Sequence, residues 1–224
     1  MKKLILLLLI AVLSTSAYAQ YATITEEGNY YRVSIPVNKG WNLLPADSFS
    51  LWEPLPESQA MFMNMKAMFM YLPIQNKYLN ALGGLNEADN ADAMQNQDFL
   101  LTSAIWYYFD AKGDIFFRFP KNLPSTSFKL EQGWNLFAVP PQFDSDSGFG
   151  NLGFGNCDVL KAFMFDTENN KWFEFTSPDM PLKDKIVSEG EDFAGLSFAI
   201  KVASNCELGP VEDITIPSVP QLPG

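Results

Sequence analysis

The hydrophobic pattern changes character near residue 20. Lys2 and Lys3 precede an unbroken apolar run from Leu4 to Leu13, and Ala17-Tyr18-Ala19 follows it. A charged start, a short apolar stretch and a small-x-small close are the parts of a secretory leader, and the run is too short to cross a bilayer. Residues 1–19 are expected to be removed as a signal peptide, leaving a short lead over 20–29. Gln20 rather than Cys follows the cut, so no lipid anchor is expected there. From residue 30 the period becomes two. Tyr31, Val33, Ile35 and Val37 alternate with other positions, as do Phe128 and Leu130, which is the signature of strands with one buried face.

Turn chemistry punctuates these strands. Asn38-Lys39-Gly40 and Glu131-Gln132-Gly133 suit a tight turn with a left-handed glycine, predicting a hairpin into the strands opened by Trp41 and Trp134. Ala67–Leu72 with Lys77–Leu79, and Ala162–Phe165 with Trp172–Phe175, read as further hairpins. Ala104–Phe109 and Leu196–Val202 read as later strands, and Asp110-Ala-Lys-Gly-Asp114 as a hairpin turn into Ile115–Phe119. Only Asn86–Gln97 and Leu182–Val187 leave room for a short helical turn. Short aromatic and β-branched strands with frequent turns predict an all-β fold, an antiparallel sandwich or barrel.

The pattern also repeats. Gly40-Trp41-Asn42-Leu43 returns 93 residues later as Gly133-Trp134-Asn135-Leu136. Lys66–Met70 matches Lys161–Phe165 at an offset of 95, and Asp98–Ser103 matches Asp192–Ser197 at 94. The chain therefore reads as two copies of one unit, over 30–124 and 125–209, followed by a Pro-rich tail over 210–224. Two packed β modules are preferred to one pseudo-symmetric sandwich. The unit, with its Gly-Trp-Asn-Leu turn, aromatic hairpin and late aromatic strand, resembles repeats in secreted and cell-surface proteins of prokaryotes. That resemblance implies a surface or envelope β module and brings no catalytic residues with it. The late glycine of the unit is Gly195 in the second copy and Leu101 in the first.

Charge and composition narrow the chemistry. Fifteen Lys and Arg stand against 26 Asp and Glu, for a net charge of −11, which argues against nucleic acid as a partner. The chain has no histidine, which removes Ser-His-Asp and Cys-His catalysis and His-ligated metals. Export permits a disulfide. Cys157 lies just before the run Lys161–Phe165 and Cys206 just after Phe198–Val202, so antiparallel pairing of those runs brings both cysteines to one end. A Cys157–Cys206 bridge is expected, worth about 4 kcal/mol on the chain-entropy model.

The remaining candidates are binding features. Asp144-Ser-Asp146-Ser-Gly148 alternates oxygen donors as calcium loops do, without the terminal Glu, and is ranked behind a plain solvated loop. Met61, Met63 and Met65 would align three thioethers on a strand, a soft-metal pattern ranked behind core filling. The glycines of 149–156 lack the context of a phosphate cradle. Trp52, Trp106, Tyr108 and Trp172 are the aromatic candidates for a binding surface, while Trp41 and Trp134 read as anchors of the unit. The expected protein is an exported, non-enzymatic binding module with no membrane span after cleavage, whose partner is a protein or another copy of itself. The alternative is a glycan-binding module using exposed aromatics, with calcium as an option. A hydrolase using paired carboxylates such as Glu189 and Asp192 ranks third.

Overall fold

Antiparallel pairing governs every strand of residues 22–47, 50–121, 128–141, 157–167, 170–174 and 195–208, the parts that the computed structural model describes. The first sheet has the order β1-β2-β8-β4, from Thr23–Glu27 (β1), Tyr30–Val37 (β2), Gly113–Pro120 (β8) and Glu53–Pro54 (β4). The second has the order β3-β7-β5-β6, from Gly40–Pro45 (β3), Ala104–Phe109 (β7), Met65–Leu72 (β5) and Lys77–Asn80 (β6). The third, β10-β13-β11-β12, uses Gly133–Ala138 (β10), Ser197–Val202 (β13), Val159–Asp166 (β11) and Lys171–Glu174 (β12). Phe128–Leu130 (β9) and Cys206–Leu208 (β14) form the fourth. The fold is all-β, and the described residues form no closed barrel.

Three expected hairpins, at Asn38–Gly40, Glu131–Gly133 and Asp110–Asp114, are instead corners between sheets. β2 pairs with β8 and β3 with β7, so neither Asn38–Gly40 nor Asp110–Lys112 joins hydrogen-bonded neighbours. A two-stranded ribbon bends from the first sheet into the second, with Val37 opposite Gly113 before the bend and Gly40 opposite Phe109 after it. The same bend carries β9 and β14 into β10 and β13, with Leu130 opposite Cys206 and Gly133 opposite Val202. The local chemistry is shared by both outcomes. Gly40 (φ 112°) and Gly133 (φ 98°) take backbone angles that an L side chain resists. Turn residues report that the chain reverses, not which strand it then joins.

The asparagine of the motif makes the corner. Asn42 Oδ1 accepts from the Asn38 N–H (3.0 Å), and Asn42 Nδ2 donates to the carbonyls of Asn38 (2.9 Å) and Gly40 (3.0 Å). Asn135 repeats this with Glu131 N–H (3.0 Å), Glu131 O (2.8 Å) and Gly133 O (3.3 Å). Both side chains are buried, so these bonds replace water that the backbone of the bend has lost.

The strand registers shift one expected match. Ala67 pairs with Tyr108 and Phe69 with Trp106, while Lys161 pairs with Lys201 and Phe163 with Ala199. Met68 and Met70 thus correspond to Ala162 and Met164, not to Phe163 and Phe165. The hairpin tips agree with this register: Leu72 faces Lys77 and Asp166 faces Lys171, each across a left-handed asparagine, Asn76 (φ 50°) and Asn170 (φ 52°).

Alternation assigns the faces. Leu44, Met68, Met70, Ile105, Tyr107 and Phe109 point to one side of the second sheet and pack with Val33, Ile35, Ile115, Phe117 and Phe119 of the first. Leu130, Phe137, Met164, Phe198, Ile200, Val202 and Cys206 make a second core between the third and fourth sheets. The opposite faces of the two inner sheets carry Trp41, Trp106, Trp134 and Phe165 and meet each other, with Leu136, Ala138 and Ala199 joining the first core. The aromatic run Trp106–Phe109 is covered on both sides because β7 lies inside a sheet between two packed layers.

Helix among the described residues is confined to short segments. Glu87–Gln95 is helical, its start capped by Asn86, whose side chain accepts from the Asp89 N–H. Gln59–Phe62 forms a helical turn after Pro56, which overturns the strand reading of the Met-rich segment. Met61 is buried in that turn, Met63 is 78% exposed, and the strand begins only at Met65, so the three thioethers do not share a strand face. Cys157 and Cys206 lie at disulfide distance with Cα atoms 5.0 Å apart, where antiparallel β11 and β13 bring them. No helix among the described residues is long and apolar enough to cross a membrane.

Candidate functional site

A cleft of about 460 Å³ opens where the inner faces of the second and third sheets diverge. The β5–β6 hairpin supplies Tyr71, Asn76 and Tyr78, and β10 supplies Trp134 and Leu136. Phe163, Trp172 and Ala199 close it from β11, β12 and β13. Each contributing strand alternates, so every second residue enters the cleft while its neighbours serve a core.

The walls are held by ring contacts and a few polar bonds. Trp172 stands edge-on to Trp106 (5.6 Å between ring centres) and Phe165 (5.3 Å), and Trp134 tilts against Phe163 at 6.0 Å. Lys201 Nζ lies 5.8 Å from the centre of the Trp134 ring. At the hairpin tip the Tyr71 hydroxyl donates to Asn76 Oδ1 at 2.6 Å, which the left-handed turn at Asn76 makes reachable. Burial, and then the neighbouring Tyr78, push the Tyr71 hydroxyl above the usual phenol range. On the other side of the interface, Asn38 Nδ2 donates to Thr167 Oγ1 (3.1 Å), fastening the corner of one half to the hairpin tip of the other.

The aromatic candidates separate by position. Trp172 lines the cleft and is 40% exposed. Trp106 is half-buried behind it, 4.7 Å from Phe165, and supports the wall rather than the opening. Tyr108 is half-buried beside Trp41 at 5.2 Å. Trp52 is only 1% exposed and packs on Phe119 (4.8 Å) and Phe117 (5.9 Å), so it is a core residue and not part of a binding surface. The cause is local: Glu53 and Pro54 pair with Arg118 and Phe117 of β8, which draws the preceding Trp52 under the first sheet. Trp41 lies edge-on to Trp106 on the face between the inner sheets; Trp134 stands on that face in the other half and is also a cleft wall.

Tyr71, Tyr78, Asn76 and Ala199 belong to the cleft without having been singled out from sequence. The outward half of the Met70–Leu72 strand and the Asn-Lys tip carried a signal for them. Ala199 carried none, because a small residue in a strand reveals a hollow only when its neighbours across the interface are known. Asp144, Asp146, Glu189 and Asp192 lie outside the described residues. Among the described residues, no three Cys, Asp or Glu side chains cluster as a metal site would require.

A second hollow of about 460 Å³, between Tyr30, Asp47, Trp52 and Glu53, has charged walls. Arg118 grips Glu53 through both of its oxygens, and that hydrogen bonding holds the Glu53 carboxyl below the usual carboxylate range. Its walls are tied by the Arg118–Glu53 ion pair, whereas the aromatic cleft presents ring faces and edges. Compared with known protein families, with curated proteins and with solved structures, the chain matches none.

Proposed function

We propose that the protein is an exported binding protein of the envelope or extracellular space, built from two copies of one β unit, that takes its partner in the aromatic cleft between its inner sheets. The observation that carries this reading is the cleft itself: about 460 Å³, walled by Trp134, Phe163, Trp172, Tyr71 and Tyr78, within the size range of ligand sites. Stacking and packing are what such walls supply. The described lining residues include no carboxylate, lysine or cysteine; their titratable groups are the hydroxyls of Tyr71, which donates to Asn76, and Tyr78. The resemblance to secreted Gly-Trp-Asn-Leu repeats and the leader-like start agree with an exported role.

A glycan remains the second reading, favoured by one observation: Tyr78 is 53% exposed and stands beside the Asn76 amide at the hairpin tip, a ring with a polar neighbour. Titration separates the readings. Intrinsic tryptophan fluorescence, with Trp134 and Trp172 in the walls, is expected to shift saturably with a cleft ligand and to need several-fold more ligand in Tyr78→Ala. A response that survives Tyr78→Ala and Trp172→Ala together would place binding elsewhere and reject the cleft.

A further inference from the structure

The cleft occupies a place that a tryptophan fills in the other half of the molecule. In the second sheet, the residue of the central strand paired with Leu43 on one side and Phe69 on the other is Trp106. In the third sheet, the residue paired with Leu136 and Phe163 is Ala199. The hairpins correspond in the same way, Tyr71 opposite Tyr78 matching Phe165 opposite Trp172.

Contacts across the interface are reciprocal, so the substitution has a geometric consequence. Trp106 reaches from the first half to the second and sets its ring edge-on against Phe165 (4.7 Å, 85°) and Trp172 (5.6 Å, 89°). The reverse contact would run from Ala199 to Tyr71 and Tyr78. A methyl group cannot make it, and those three residues are walls of the cleft. The hollow is the seat of a missing ring.

We propose that the cleft receives a flat aromatic ring from a ligand, of the indole or phenol class, seated against Tyr71 and Tyr78 as Trp106 is seated against Phe165 and Trp172. This rests on the reading of the cleft as the binding site and names its occupant. The lining favours a ring over a sugar. Ala199, Leu136, Phe163 and Trp134 offer no hydrogen-bonding atom toward most of the hollow apart from the indole N–H, and the Tyr71 hydroxyl already donates to Asn76. A saccharide would bring several hydroxyls against these apolar walls, whereas an indole or phenol brings a single polar group, which the open side of the cleft can accommodate. Edge-to-face packing of the kind Trp106 makes is the geometry aromatic pairs favour. A polar substituent on the ligand would meet Asn76 and the half-exposed Tyr78.

The ring has two sources, a free small molecule or an aromatic side chain displayed by a polypeptide. Calorimetry on the full chain with indole, with N-acetyl-tryptophanamide, with a tryptophan-bearing peptide and its alanine counterpart, and with a soluble oligosaccharide distinguishes them. Saturable binding of indole is expected, and discrimination between the two peptides identifies the polypeptide source. Ala199→Trp is expected to fill the hollow from within, raising the melting temperature and weakening indole by roughly tenfold or more. Tyr78→Ala, at an exposed position that tolerates change, is expected to weaken indole several-fold with the fold intact, and serves if Ala199→Trp does not fold. Indole binding that is untouched in both variants, or absent up to its solubility, overturns the aromatic occupant. Oligosaccharide binding abolished by Ala199→Trp would overturn it while leaving the cleft as the site; no binding of any probe would remove both.

Discussion

Gly113 and Cys206 hold the same place, the first residue of the outer strand beyond a corner, opposite Val37 and Leu130 respectively. The two halves secure that place differently. Against Gly113 lies the Met61 side chain, so close that an added Cβ would come within 2.5 Å of its sulfur. Against Cys206 comes Cys157, from the chain just ahead of β11. One half closes its corner with a thioether packed on bare backbone, the other with a covalent link.

Loss of that link is expected to be costly. Reduction, or Cys157→Ser with Cys206→Ser, releases a constraint over 49 residues and is expected to lower stability by about 4 kcal/mol, read from denaturant midpoints. Gly113→Ala is the matching test in the first half. Met61 is flexible but buried and has to shift, so a loss of about 1–3 kcal/mol is expected. An unchanged midpoint for Gly113→Ala would show that Met61 is not confined there.

The motif asparagines predict a paired result. Asn42→Ala leaves the Asn38 N–H and two carbonyls of a buried bend without their partner, and Asn135→Ala does the same at Glu131 and Gly133. Each is expected to cost on the order of 2–3 kcal/mol. Asn→Asp at either position keeps the acceptor but loses the donor, and is expected to be no better tolerated. Calorimetric unfolding of the four variants checks this; a neutral Asn42→Ala would mean that water replaces the side chain in the bend.

How much of this was readable beforehand depended on range. Most strands, the positions of the glycine turns, the hairpin tips and the Cys157–Cys206 pairing follow from alternation and turn chemistry within a few residues and stand where expected; Thr23–Glu27, a strand within the expected lead, and the helical turn at Gln59–Phe62 do not. The corners did not follow, because Asn38-Lys39-Gly40 encodes a reversal whether β3 joins β2 or β7. Trp52 departs from the exposed position expected of it for a related reason: its burial is decided by Glu53 and Pro54 pairing with β8, more than sixty residues away. The cleft was least visible. It exists because Ala199 faces Tyr71 and Tyr78, and no local pattern encodes what stands across an interface.

Alkaline pH is expected to unfold the protein through Tyr107. Burial, with the nearby Asp47 charge adding to it, drives its hydroxyl well above the ordinary phenol range. A folded pKa raised above the unfolded value contributes stability that is complete below about pH 10 and falls as pH climbs past it, because only the unfolded chain ionises there. Tyr71, shifted in the same direction, adds to this loss. Ultraviolet titration of phenolate should show one tyrosine ionising only with unfolding, and Tyr107→Phe should flatten the alkaline decline of stability. Ionisation of every tyrosine before unfolding would contradict the burial of Tyr107.

The last prediction concerns Trp106, whose ring bridges the two halves. Trp106→Ala removes its contacts with Phe165, Trp172 and Trp41 and leaves a hollow facing the second half. The expected cost is about 3–4 kcal/mol, near the low end for buried aromatics because Trp106 is partly exposed. An apolar hole of this kind takes a ring from solution, and a ligand that binds only the folded state raises stability by about 2.7 kcal/mol at a hundredfold excess over its Kd. Indole is therefore expected to raise the melting temperature of Trp106→Ala by more than it raises that of the unsubstituted chain, where only the cleft beside Ala199 takes it. An equal rise in both would mean that the inner sheets collapse onto the gap, and that Trp106 acts as a spacer holding them apart.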